Sequence, residues 1–186
     1  MSTQEFLSVR FDTLEQRSLD GADVRGTFGG YANLHGVTDS YGTRFQSGAW
    51  ISGTPDLDRP TALLWMHNPE NPVGVFAAKE DERGLWIEGI FDQTDEGQRA
   101  RSRAMSGSAP ELSVGFVRLR NMDDDETTII QARLVEVSLI TARMASQPGA
   151  ALTAVRSAEQ ETALMAASIA TEAQRRRAAA RLRLAL

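Results

Sequence analysis

The chain has 186 residues, 41% hydrophobic and 24% charged, with a formal charge of -5, two histidines and no cysteine. That length suits one globular domain with appendages, and the net negative charge argues against nonspecific nucleic-acid binding by its body. Without cysteine there is no disulfide, thiol nucleophile or thiolate metal site, and two histidines leave little for a histidine-built zinc site. Catalysis must then use hydroxyl, imidazole and carboxylate groups, and neither metal nor cofactor is expected.

The opening MSTQEFLSVRF has an acid early and no apolar core behind basic residues, and nowhere do about 18 apolar residues run together. Neither a signal peptide nor a membrane span is expected, and the protein reads as cytosolic. From residue 6 to 76, short apolar runs such as FLSVRF, GTFGGYANL and ALLWMH alternate with turn-like GVTDSYG and SGTPDLDRP, which reads as strands and loops. The segment VGVFAAKEDERGLWIEGIF reads as a hairpin with its polar turn around residues 80–84. In FDQTDEGQRARSRAMSG, Thr94 is placed to cap a short helix, with Asp95 and Glu96 at its start and Arg99, Arg101 and Arg103 towards its end.

ELSVGFVRLR follows, then an acidic turn NMDDDE, then TTIIQARLVEVSLIT, which is expected to pair antiparallel with the preceding strand or pass beside it. The final stretch from residue 151 is alanine-rich, lacks proline beyond Pro148 and ends in clustered arginines between Arg175 and Arg183. A long C-terminal helix is expected there. It is either a solvated helix packed on its own domain or a partner-binding, scaffold-like tail, because so long a helix needs cover for its apolar side.

Three residues are the candidates for carrying chemistry. In ELSVGF, alternation sends Leu112, Val114 and Phe116 to one face and Ser113 and Gly115 to the other, so Ser113 is either a polar residue on the wet side or a nucleophile beside an open glycine. In LLWMHNPENPVG, His67 ends an apolar run directly before Asn-Pro, either as a packed or surface imidazole or as a base carried at the mouth of a rigid element. In RLVEVSLIT, alternation puts Leu134, Glu136 and Ser138 on one face and Val135, Val137 and Leu139 on the other. A serine is a poor nucleophile alone. An imidazole must take its proton, and an acid must fix the imidazole tautomer and stabilise the imidazolium. Asp39 and His35, in the HGVTDSYG loop, are assigned to loop structure.

These segments fall within a longer resemblance. GGYANLHGVTDSYGTRFQSGAW, LLWMHNPENPVG, GLWIEGIF, ELSVGF and LVEVSLITARMASQPGAAL, in that order across residues 29–152, resemble the prohead proteases of tailed bacteriophages of the HK97 type. That family is similar to the herpesvirus capsid maturation proteases. The resemblance implies an α+β fold, a mainly antiparallel β-barrel with surrounding helices, over residues 1–150, with the helical tail at 151–186. It implies a serine endopeptidase with Ser113 as nucleophile, His67 as general base and Glu136 as third member, and makes Arg143 a candidate for the oxyanion site. Where the family often has proline and asparagine after EVSL, this chain reads TARMASQPGA.

The implied partners are the major capsid protein and its scaffolding segment, met in the host cytoplasm inside the phage prohead, with no membrane and no specific nucleic acid involved. The implied assembly is a homo-oligomer, a dimer by analogy, and the chain is expected to trim its own tail. The competing reading is an internal scaffold or core protein that binds shell subunits without proteolysis.

Overall fold

The computed structural model describes residues 26–156; the expectations for the first 25 residues and for a helix beyond residue 156 lie outside the described residues. The elements, in chain order, are β1 (Thr27–Leu34), β2 (Arg44–Phe45), α1 (Ala49–Gly53), β3 (Thr61–Trp65), β4 (Asn68–Glu80), β5 (Gly84–Phe91), α2 (Asp95–Met105), β6 (Glu111–Met122), β7 (Asp125–Ile140) and β8 (Ala151–Arg156). The strand order is β2-β7-β3-β4-β5-β1-β8-β6, and β6 pairs back on to β7, so the sheet closes into a barrel. No helix among the described residues is long and apolar enough to cross a membrane.

Local signals in the sequence place several elements. The β4–β5 hairpin turns at residues 81–83, where the Asp81 carboxylate accepts the amides of Arg83 and Gly84. Thr94 caps α2 by accepting the Gly97 amide at 3.1 Å, with Asp95 and Glu96 in the first turn, where the helix dipole favours negative charge. β6 and β7 form a long antiparallel hairpin across the acidic turn, with Met122 paired to Asp125.

The barrel departs from the expected architecture in three places. Most of its ladders are antiparallel, as expected, but it is mixed, because β7 runs parallel to both β2 and β3. The cause is the path of the chain from residue 44 to 65, which follows β7 in one direction: Phe45 beside Ile129, Thr54 bonded to Leu134 and Ala132, then Leu63 to Trp65 beside Val137 to Leu139. The one-turn helix α1, in a stretch expected to hold only strands and loops, steps between the two parallel contacts.

Residues 151–156 form a strand rather than the start of a helix. The open edge of β1 offers unpaired backbone groups to β8, and Leu152 and Val155 pack partly against the core, so pairing overrides alanine's helical preference. The third departure is a bulge in β7. Gly115 pairs with Glu136 and Phe116 with Leu134, which leaves Val135 unpaired and 53% exposed while Leu134 turns in against the core. Beyond it the expected alternation resumes, with Val137 and Leu139 fully buried inside the barrel.

Trp50 of α1 plugs the interior. It is completely buried, stacks on Phe45 at 4.7 Å between ring centroids, and donates its indole N–H to Asn33 Oδ1 at 3.1 Å. Around it Phe76, Phe91, Leu63, Leu85, Ile87, Leu112 and Ile129 complete a core that fixes the strand walls.

Candidate active site

The wall made by β6, β7 and β3 carries all three sequence candidates. Leu112, Val137 and Leu139 point into the core, so Ser113, Gly115, Glu136 and Ser138 point to the outer face of the barrel. In register, Ser113 stands opposite Ser138, and Gly115 opposite Glu136. On the other side of β7, Leu64 of β3 stands beside Ser138. This parallel pairing runs straight into the turn that holds His67.

His67 is the second residue of a two-residue turn joining β3 to β4, where Trp65 pairs with Asn68. Met66 and His67 both have positive φ, 53° and 60°, the pattern of a type I′ hairpin turn, which normally takes asparagine and glycine. Neither residue here is glycine, so contacts must hold them in that region. The Met66 amide bonds to Leu139 O at 3.1 Å, and the His67 amide to Ser138 Oγ, also at 3.1 Å. β7 thus aims the imidazole.

The His67 Nδ1–H group donates to Glu136 Oε1 at 2.8 Å. The second carboxylate oxygen, Oε2, accepts the Ser138 hydroxyl proton at 2.6 Å. Ser138 therefore bridges acid and base, giving its proton to Glu136 while its oxygen accepts from the His67 backbone. The carboxylate fixes Nδ1 as the protonated nitrogen and leaves Nε2 as the one able to accept a proton.

Gly115 explains how the carboxylate fits. A Cβ built there would lie 2.4 Å from Glu136 Oε1 and 2.8 Å from its Cγ. The space that the open glycine offers beside Ser113 is filled by the Glu136 side chain.

The structure brings His67 and Glu136 into contact and puts Ser113 on the same wall, two register positions from the Glu136–Gly115 pair. Among the described residues, no hydrogen bond joins Ser113 Oγ to His67. Two hydroxyls compete for the role of nucleophile here. Ser138 is wholly buried and its proton is committed to Glu136, whereas Ser113 is half-buried and its hydroxyl has no partner among the described residues.

A second imidazole–carboxylate pair lies elsewhere. His35 Nε2 meets Glu80 Oε1 at 2.8 Å, but these side chains are only 8% and 1% exposed, against 48% and 18% for His67 and Glu136. Glu80 also accepts the amides of Gly48, Trp50 and Ile51 at the start of α1. Burial pushes its carboxyl up, but the bonds from His35 and from these amides outweigh burial and hold it below the usual range. Asp39 accepts the amides of Tyr41 and Thr43 and the Thr43 hydroxyl. Both groups organise their loops.

Arg143 lies in the loop after β7 with an exposed side chain and a left-handed φ of 68°. Its backbone N–H is bonded to Glu111 Oε1 at 2.7 Å, and the amides of Met144 and Ala145 meet Glu111 Oε2 at 2.8 Å each. Glu111 and Ser138 are the residues that sequence reasoning passed over as parts of the site. Period-two alternation already set each on the face of a named candidate, Glu111 with Ser113 and Ser138 with Glu136.

The family of caudovirus prohead serine proteases matches residues 12–164. The prohead protease of Enterobacteria phage HK97 is 32% identical over 126 residues, covering 66% of this chain and 54% of the relative, so the match spans about half of that protein. Among solved structures, the protease of KSHV in complex with a hexapeptide phosphonate inhibitor has a TM-score of 0.39 at 14% identity, covering 62% of this chain and 59% of that one. The varicella-zoster virus protease has a TM-score of 0.36 at 16% identity, covering 62% and 64%.

Proposed function

Because the chain belongs to the caudovirus prohead serine protease family, we propose that it is a serine endopeptidase in which Ser113 attacks the peptide carbonyl, His67 is the general base and Glu136 orients the imidazole. The observation that carries this reading is the 2.8 Å bond from His67 Nδ1 to Glu136 Oε1, made on the strand wall that also presents the Ser113 hydroxyl.

The steps are those of acyl transfer. As Ser113 Oγ bonds to the carbonyl carbon, its proton passes to His67 Nε2, and Glu136 stabilises the resulting imidazolium. Collapse of the tetrahedral intermediate breaks the C–N bond, and His67 returns the proton to the leaving amine. Water then repeats the sequence on the acyl-enzyme. Ser113 must turn its hydroxyl to the imidazole for the first step, a tightening that substrate binding brings about in many such sites. General-base catalysis supplies about 100- to 10,000-fold. Arg143 is assigned to the developing oxyanion, where one donor is worth about 100- to 1,000-fold.

The substrate is the scaffolding segment of the phage major capsid protein, cleaved inside the prohead in the host cytoplasm, and the chain also cleaves its own C-terminal part. It works as a homo-oligomer. The test incubates purified protein with capsid precursor and follows both by mass spectrometry. Shortened precursor and trimmed enzyme are expected from the wild type, and neither from Ser113→Ala or His67→Ala. Glu136→Gln should retain a trace, since loss of the acid costs roughly 10,000-fold where loss of serine or histidine costs roughly a million-fold. Association with the precursor but no shortening by any form would make the chain a scaffold instead.

A further inference from the structure

We infer that Glu111 is a positioning residue for the Arg143 loop, an assignment that rests on the protease reading above. Glu111 opens β6 at the seam of the barrel, where its backbone pairs with Ile140 on one side and Ala151 on the other. Two residues before Ser113, it shares the face of the nucleophile. Its carboxylate accepts three consecutive amides, those of Arg143, Met144 and Ala145. Burial raises its carboxyl, but the three amides and the Arg143 charge outweigh burial and hold it below the usual range, so it remains an anion.

The three N–H groups converge because the chain curls through Arg143, at a φ of 68° that residues other than glycine rarely adopt. The far half of the loop is held separately. Gln147 accepts from Asn33 Nδ2 and the Leu34 amide and donates to Leu34 O and Val37 O, which ties it to the end of β1. Losing the charge of Glu111 therefore frees residues 143–145 and leaves residues 147–150 in place.

The bond to Glu111 also decides what the loop offers a substrate. The Arg143 amide is already spent on Oε1, so the exposed guanidinium is the donor that the loop presents. Glu111 sets where that guanidinium stands relative to Ser113. It touches no reacting atom itself.

The test compares Glu111→Gln, Glu111→Asp and Arg143→Gly in the full-length protein, with Ser113→Ala as control, using cleavage of capsid precursor and amide hydrogen exchange. Misplacing a catalytic group by about an ångström costs up to about 100-fold, so Glu111→Gln should lower kcat by up to that factor with KM close to wild type. Exchange should rise in residues 143–145 and stay unchanged in 147–150. Glu111→Asp, which keeps the charge, should recover part of the rate. Arg143→Gly suits the positive φ and removes only the side chain; it should lower kcat similarly, and the double variant should be no worse than either single one. If Glu111→Gln does not fold, Arg143→Gly and Glu111→Asp decide. Wild-type kcat in Glu111→Gln, or in both Arg143→Gly and Glu111→Asp, overturns the assignment, as does unchanged exchange at 143–145. If Ser113→Ala still cleaves, the assignment of Ser113 as nucleophile, on which the positioning role rests, fails; if it is inactive while the Glu111 and Arg143 variants match wild type, only the positioning role does.

Discussion

Ser113 and Ser138 face each other across the β6–β7 ladder, one half-buried with no hydroxyl partner among the described residues and the other sealed and bonded to Glu136 and His67. Directly opposed residues have Cβ atoms about 4.5–5.5 Å apart. One register position therefore holds two hydroxyls with different duties: Ser138 spends its proton on building the acid–base pair, and Ser113 keeps its own.

Removing the bridge tests that division. Ser138→Ala leaves the second oxygen of Glu136 and the His67 amide without this partner at a part-buried site, where water offsets part of the roughly 1–3 kcal/mol that a buried unsatisfied group costs. Thermal unfolding should show a lower midpoint, and cleavage should fall but persist. An inactive Ser138→Ala beside a Ser113→Ala that still cleaves would mean that the roles of the two serines were exchanged.

Gly115 offers a cleaner separation of chemistry from folding. The atoms that an added Cβ would meet belong to the Glu136 side chain, so Gly115→Ala should push the carboxylate off His67 and leave the barrel intact. Circular dichroism and the unfolding midpoint should stay near wild type while kcat drops towards that of Glu136→Gln. Combining the two substitutions should add little, because both remove one interaction. Full activity in Gly115→Ala would show that the carboxylate does not orient the base.

Acid should weaken the fold through Glu80 and Glu111. Both carboxyls are lower in the folded protein than their ordinary values, Glu80 through His35 and the α1 amides and Glu111 through the loop amides, in each case against burial. The folded state therefore binds fewer protons than the unfolded chain as these groups titrate. Their stabilisation is complete above the ordinary glutamate value near 4.3 and is lost as pH falls below it through the folded values. Denaturant midpoints measured from pH 7 down to 3 should be flat at first and then fall. Glu80→Gln should start from lower stability at neutral pH and lose less on acidification; an unchanged slope would contradict the role given to Glu80.

What the sequence made legible follows the range of the forces involved. The Thr94 cap, the hairpin at 81–83 and the inward set of Leu112, Val114 and Phe116 depend on near neighbours, and these agree with the structure. The parallel run of β3 along β7 depends on a chain path of twenty residues around α1, which local pattern does not record. β8 has the composition of a helix and becomes a strand only because β1 supplies a partner. The β7 bulge breaks period two at Val135, so alternation misplaced Leu134 and Val135 while leaving Glu136 and Ser138 on the right face.

The site divides in the same way. Residue types and alternation brought out Ser113, His67 and Glu136 separately, but not the turn geometry that gives His67 its direction. Alternation places Ser138 and Glu111 on the candidates' faces, but their hydrogen bonds form only when distant backbone amides are brought to them, so local pattern does not show what they hold.

The most direct measurement of the central claim is covalent labelling with a fluorophosphonate, an electrophile that reports an activated serine without needing the natural substrate. Intact-protein mass spectrometry of the wild type should show one adduct, peptide mapping should put it on Ser113, and the adduct should vanish in Ser113→Ala and fade in His67→Ala. An adduct on Ser138, or labelling of Ser113 at the same rate when His67 is replaced, would contradict the account.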